Sequence, residues 1–171
     1  MKGASDAGHG CVRVLVAESH ETYSNILTGA LRRQRGIKVI SCKHELSECK
    51  SVLQSVPVDI MLIGNYRCDQ NELVETLRGI HSAHPKVGLI LLMNSNDRNL
   101  VVEVVRAGVR GLFAANQSFR SLCRCISVVN QGQIWATSEQ INYMIEALRS
   151  TQTRPITDVT GKELLSRVRS K

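Results

Sequence analysis

The stretch that most constrains the fold is the apolar run VDIMLIGN, from Val58 to Asn65. It carries one charged residue near its start, and a glycine and an amide at its end. In a chain that alternates strands and helices, such a run is typical of a central parallel strand buried on both faces. Ligands in these folds bind beyond the carboxyl ends of the strands, so the residues around Gly64 bear most directly on function.

The same alternation runs through most of the chain. Apolar or β-branched runs predict four further strands, at residues 12–17, 37–41, 87–93 and 111–114. Helical spacing predicts a helix after each of the five strands, and the last of these turns Phe119, Leu122, Ile126 and Val129 inward. This order predicts an α/β fold of the flavodoxin-like kind, a doubly wound five-stranded parallel sheet with an extra C-terminal helix.

The 171 residues are predicted to form one domain with extensions at both ends. Residues 1–11 lack the apolar core of a signal peptide and are predicted to be a disordered leader. The domain itself spans 12–132, an added helix occupies 133–149, and 150–171 is a linker with a basic tail.

The added helix has an apolar stripe at Ile141, Met144, Ile145 and Leu148. One interpretation is that this stripe packs on the domain's own surface. The other is a connector or dimer helix, and both interpretations require the same stripe.

Composition argues against several classes of function. No apolar run approaches the roughly 20 residues that cross a bilayer, and there is no export signal, so we expect a cytoplasmic protein without a membrane partner. The six cysteines form no CxxC pair and are read as small buried hydrophobes. His81 and His84 are read as a solvated helix end, so no metal or cofactor is predicted. The net charge of +7, with a cluster at 32–35, fits either an anionic partner or a solvated helix face.

With these elements placed, the chain resembles the receiver domain of a two-component response regulator, of the CheY-like type that precedes a LuxR/NarL-like helix-turn-helix. The resemblance spans residues 12 to about 140 and rests on VRVLVAESH, VDIMLIGN, VVEVVRAGVRGLF and FRSLCRCISVVNQGQIWATSEQ. The tail sequence ELLSR resembles the opening of the DNA-binding domain, without the helices that would follow.

The resemblance implies a phosphorylation pocket that this chain has almost entirely lost. In the family, a carboxylate pair and an aspartate ending strand three hold Mg²⁺, that aspartate accepts the phosphoryl group, and a hydroxyl and a lysine bind its oxygens. The matching positions here are Glu18 with Ser19, Gly64, Met93 and Ala115. The resemblance therefore implies a degenerate receiver, or pseudo-receiver, that is not an enzyme and acts by contact with a protein partner or by homodimerisation.

Two alternatives stay open. Phosphorylation could persist at an unorthodox acceptor such as Asp69, Glu18 or Ser95, or the chain could be a transcriptional regulator whose DNA-reading helices lie outside it. DNA is a predicted partner only in that second case. For a dimer, the resemblance implies a surface over helix four, strand five and helix five, formed by Arg98, Val101, Val102, Val105, Arg106, Arg120 and Arg124.

Overall fold

The predicted parallel sheet is present and has the predicted number of strands. The structure, a computed structural model, describes residues 10–64 and 68–152, so almost all of the predicted leader and the predicted tail beyond 152 lie outside the described residues. The strands are β1 (Val12–Ala17), β2 (Ile37–Lys43), β3 (Ile60–Ile63), β4 (Gly88–Met93) and β5 (Val109–Ala114), all parallel, in the order β2-β1-β3-β4-β5. The fold class predicted from the sequence is confirmed.

Helices cover both faces of this sheet. The described helices are α1 (Glu21–Arg32), α2 (Leu46–Ser55), α3 (Gln70–Ala83), α4 (Arg98–Arg106), α5 (Phe119–Asn130) and α6 (Ser138–Gln152). One buried cluster joins α1 and α5 to the sheet, and the other joins α2, α3 and α4 to its opposite face. Within β3, Ile60 and Leu62 enter the first cluster while Met61 and Ile63 enter the second. Because both faces of β3 pack against buried clusters, all four of its residues are apolar, which explains the uninterrupted apolar run in the sequence.

Three details differ from the sequence-based expectations. Phe119, predicted to point inward, is exposed because it begins α5 at the rim of the sheet. The added helix continues through Gln152, three residues beyond its predicted end. His81 is only half-exposed, because its ring packs against Gly108, and its Nδ1 atom is buried without a hydrogen-bond partner in the described part of the chain.

The RAG-x-x-G turn between α4 and β5 has a steric explanation. Gly108 has φ +101°, and a Cβ atom there would lie 2.2 Å from the Cγ atom of His81. At Gly111 a Cβ atom would lie 2.7 Å from the Cγ1 atom of Ile90, on the neighbouring strand. Position 108 therefore needs glycine because of its left-handed backbone and its contact with His81. Position 111 needs glycine because its strand packs closely against Ile90.

Asp59, just before β3, lies at the amino edge of the sheet and is held there by Arg13. The Oδ2 atom of Asp59 accepts from the backbone N–H of Arg13 at 2.8 Å and from its Nε at 2.9 Å. These hydrogen bonds to the guanidinium lower the pKa of Asp59 below its ordinary value. This pairing fixes the entry of the central strand next to that of β1.

A pH titration of stability tests the Arg13–Asp59 pair. Because the pKa of Asp59 is lowered in the folded state, its contribution is complete above the unfolded pKa of about 4 and is lost as the pH falls through the folded pKa. In urea unfolding between pH 2 and 6, Asp59→Asn should lower stability near pH 6 and flatten the acid-side loss. An unchanged acid slope would contradict this assignment. Glu48→Gln, at an exposed site on α2, is the matched control.

Two of the three glycines with a left-handed backbone among the described residues give a second test. Gly36 has φ +81° with no heavy atom within 4 Å of its Cβ position, so Gly36→Ala should cost only the backbone term of about 1 kcal/mol. Gly108→Ala adds the clash with His81 and should cost roughly 1–3 kcal/mol more in urea unfolding. Adding His81→Ala should remove part of that excess. Equal losses for the two single variants would show that His81 does not constrain the turn.

Candidate functional site

The carboxyl edge of the sheet brings the predicted pocket positions together, and Glu18 fills its centre. The Gly64 N–H donates to the carbonyl of Ala17 at 2.7 Å, which sets the end of β3 beside the end of β1. An ideal Cβ atom on Gly64 would lie 1.7 Å from the Oε2 atom of Glu18 and 2.7 Å from its Cδ atom. The Glu18 carboxylate thus occupies the space in which a side chain at position 64 would begin.

Glu18 is built into the domain and is only 1% exposed. Its Oε1 atom accepts from the N–H of His20 at 3.0 Å, and its backbone N–H donates to the carbonyl of Lys43 at 3.0 Å. The Nδ1 atom of His44 lies 3.0 Å from the carbonyl oxygen of Glu18. A buried carboxylate held in this way is part of the packing between β1, β2 and β3.

The other predicted positions complete the same edge. Met93 ends β4 and is buried, and its carbonyl accepts from the N–H of Ala115 at 2.9 Å. Ala115 is exposed just beyond β5, and Ser19 is half-buried directly after Glu18. The aromatic position on β5 carries Leu112, which is buried in the α2–α4 cluster. Gly64 and Glu18 thus lie together at this edge of the sheet, and so do Met93 and Ala115.

Two adjoining cavities open at this edge. One, of about 470 Å³, lies between α1 and the ends of β4 and β5; the other, of about 570 Å³, lies between the ends of β4 and β5 and the start of α6. Asn94 and Ala115 line both cavities. Among the described residues, neither cavity is lined by a lysine or an arginine, and Glu18 contributes a negative charge to the first.

The surroundings of Asp69 and Ser95, the other candidate phosphoryl acceptors, differ from those of Glu18. Asp69 is the N-cap of α3, where its Oδ1 atom accepts from the N–H of Glu72 at 2.8 Å. Capping explains this aspartate without a role in chemistry. Ser95 is exposed and lines the larger cavity. Asn65 lies outside the described residues.

The valines of the predicted dimer surface over α4 are partly or fully buried. Val101 is fully buried, and Val102 and Val105 are half-buried. Arg98 forms an ion pair with Glu146 of α6 at 2.8 Å, and its guanidinium lies 5.9 Å from the centroid of the Tyr143 ring. Val101 therefore cannot form part of an exposed contact surface while the chain has this arrangement.

The remaining residues of the predicted dimer surface are arginines that are exposed to solvent. Arg106 pairs with Glu103 on the same helix at 2.8 Å. Arg120 and Arg124 are exposed on α5. The edge of β5 between α4 and α5 is covered from within the chain, because Leu112 N–H donates to the Trp135 carbonyl at 2.8 Å and Trp135 N–H donates to Arg110 at 2.9 Å.

A capping box and side-chain hydrogen bonds attach the start of α6 to the domain. Thr137 and Gln140 form a reciprocal capping box, with Thr137 N–H to Gln140 Oε1 at 2.9 Å and Gln140 N–H to Thr137 Oγ1 at 3.2 Å. Glu139 accepts from Asn96 at 2.5 Å and from the Tyr143 hydroxyl at 2.6 Å, and this second bond raises the pKa of Tyr143. The T-x-x-Q spacing in the sequence indicates this cap, whereas no sequence pattern indicates the contact between Glu139 and Asn96.

The described residues offer little other site chemistry. They contain no cluster of three or more histidine, cysteine or acidic side chains able to hold a metal ion. Burial raises the pKa of the Cys125 thiol to about 12, so this cysteine behaves as a small hydrophobe. Over the same ranges, none of the helices has the length and apolar character needed to span a bilayer.

Comparison with known proteins identifies the fold through structure alone. No protein-family profile matches the chain, and no curated protein sequence matches it either. The receiver domain of RcsB from Salmonella enterica serovar Typhimurium, solved with the phosphomimetic BeF3⁻, superposes with a TM-score of 0.67 at 11% identity, over 79% of this chain and 99% of that one.

Other solved structures give the same result. A LuxR-family two-component response regulator from Aurantimonas sp. SI85-9A1 has a TM-score of 0.69 at 12% identity, over 82% of this chain and 99% of that one. An RcsB–DNA complex has a TM-score of 0.68 at 11% identity, over 80% of this chain and 69% of that one. At such low identity the likeness concerns architecture. The chain has the fold of a response-regulator receiver domain.

Proposed function

We propose that this chain is a pseudo-receiver, a receiver-fold module of a regulatory protein that works by protein–protein contact without aspartate phosphorylation. The observation that carries the proposal is the position of Glu18, whose carboxylate lies where a side chain at position 64 would begin. Position 64 at the end of β3 is a glycine, and the space that a side chain would use there is taken by Glu18, which supports the proposal.

Phosphoryl transfer also needs positive charge, and this supports the same proposal. A carboxylate that attacks a phosphoryl group needs cations and donors to neutralise the charge that accumulates. Met93 and Ala115 stand where the resemblance implies a hydroxyl and an ammonium group. One carboxylate, Glu18, is also a poor basis for Mg²⁺, which prefers several oxygen ligands in octahedral geometry.

Contact with DNA belongs to the proposal only for a longer form of the protein. The RcsB structures named above include a complex with DNA, which concerns that protein. Here the described residues end at α6, and the basic tail after it resembles only the first residues of a helix-turn-helix domain. A transcriptional role would therefore require reading helices beyond residue 171.

Incubation with a small phosphodonor tests the proposal. With acetyl phosphate and Mg²⁺, intact-mass spectrometry of the full chain should show no added phosphoryl group, because neither cavity is lined by a lysine or an arginine among the described residues. The Asp69→Ala, Glu18→Gln and Ser95→Ala variants identify the acceptor if an adduct forms. A stoichiometric adduct that one of these variants removes would overturn the proposal in favour of an unorthodox acceptor.

A mutant cycle tests whether Glu18 excludes a side chain at position 64. Gly64→Ala should lower the free energy of unfolding by roughly 1–3 kcal/mol, because the new Cβ atom displaces the Glu18 carboxylate. Adding Glu18→Ala should produce a favourable coupling of at least about 1 kcal/mol in urea unfolding. Glu18→Gln keeps the shape and should not rescue. Additive losses for Gly64→Ala and Glu18→Ala would show that the two positions do not compete for space.

A further inference from the structure

The added helix α6 has two different apolar faces. Tyr143 and Met144 pack against the buried cluster that includes α4. On its outer side Ile141, Ile145 and Leu148 are 43%, 41% and 67% exposed. Their spacing of four and then three residues places them along one face of the helix over two turns. The stripe predicted from the sequence is therefore divided, and most of it faces outward.

The acidic residues of α6 turn toward the domain. Glu139 is bonded to Asn96 and Tyr143, and Glu146 is paired with Arg98. Arg149 is the remaining charged residue of the helix. The outer stripe is thus an apolar strip with little charge of its own, in a chain whose net charge is +7.

A second exposed apolar patch, between α1 and α5, has a different electrostatic setting. Tyr23 and Ile26 of α1 and Phe119 of α5 are exposed and line the same groove. The exposed arginines of these two helices and the turn after α1 carry a strong positive charge: Arg32, Arg33, Arg35, Arg120 and Arg124. A second copy of a basic chain is repelled by the arginines of α1 and α5, and far less by α6.

We propose that the outer stripe of α6, formed by Ile141, Ile145 and Leu148, is a contact between two copies of this chain. This inference rests on the proposed function, since it names the surface and the partner for a contact module. In a two-fold dimer the same stripe meets itself, which an apolar strip without like charges permits. Because two helical turns form a small interface, we expect a weak, concentration-dependent dimer.

Sedimentation velocity of the full chain over a wide concentration range is the test. The wild type should shift from monomer to dimer as concentration rises. Leu148→Glu places two carboxylates at the contact and should weaken association at least tenfold. Leu148 is 67% exposed, so unchanged urea unfolding would show that the variant still folds. Ile26→Glu introduces the same charge at a site of similar exposure on α1 and should leave association unchanged.

Any other result would contradict the proposed contact through α6. A wild type that stays monomeric throughout means that the stripe has another occupant or none. Association that Leu148→Glu leaves intact, but that Arg120→Glu with Arg124→Glu weakens, would place the contact on the α4–β5–α5 surface and leave the proposed function standing. Failure of the proposed function has its own readout, the phosphoryl adduct in intact mass, which α6 variants do not affect.

Discussion

The position of β3 between β1 and β4 is the constraint on which the rest of the structure depends. All four of its residues are apolar and buried, so a slip of one residue would still bury apolar side chains. The pattern within the strand therefore does not fix its register, and the register must come from its ends. At the amino end the Asp59 carboxylate is held by Arg13, and at the carboxyl end Gly64 lies against Glu18. A shift by one residue would break the first contact and bring a side chain against the second.

The same end contact would make the proposed loss of a phosphoryl acceptor more than a single substitution. The carboxylate of Glu18 is almost fully buried over Gly64, and its hydrogen bond from His20 holds the start of the β1–α1 connection. Placing an aspartate at position 64 would require this carboxylate to leave, with loss of its hydrogen bond. An exchange between an acceptor and a glycine at position 64 would thus be coupled to the packing of β1 against β3, because Glu18 and Gly64 form one structural unit.

The sequence predicted the sheet well because its signals are local and periodic. Continuous apolar runs predicted the strands and chain breakers predicted most helix ends, whereas the pocket positions came from the resemblance to receiver domains. The predictions that failed concern side chains whose burial depends on residues far away in the sequence. Phe119 fits the inward spacing of α5 but lies beyond the end of the sheet, and His81 is covered by Gly108, 27 positions away in the chain. The stripe of α6 could not be divided in advance, because spacing alone does not say which residues meet α4.

The attachment of α6 to α4 has consequences for how contacts are distributed over the surface. Its ion pair between Arg98 and Glu146 is about half exposed and contributes little by itself. The packing of Tyr143 and Met144 against the core cluster supplies most of the apolar burial that keeps the helix in place. Val102 and Val105 on α4 are half-buried, whereas Ile145 and Leu148 on the outer side of α6 are exposed. α6 therefore packs beside α4 and carries the outer stripe that is proposed above as a contact surface.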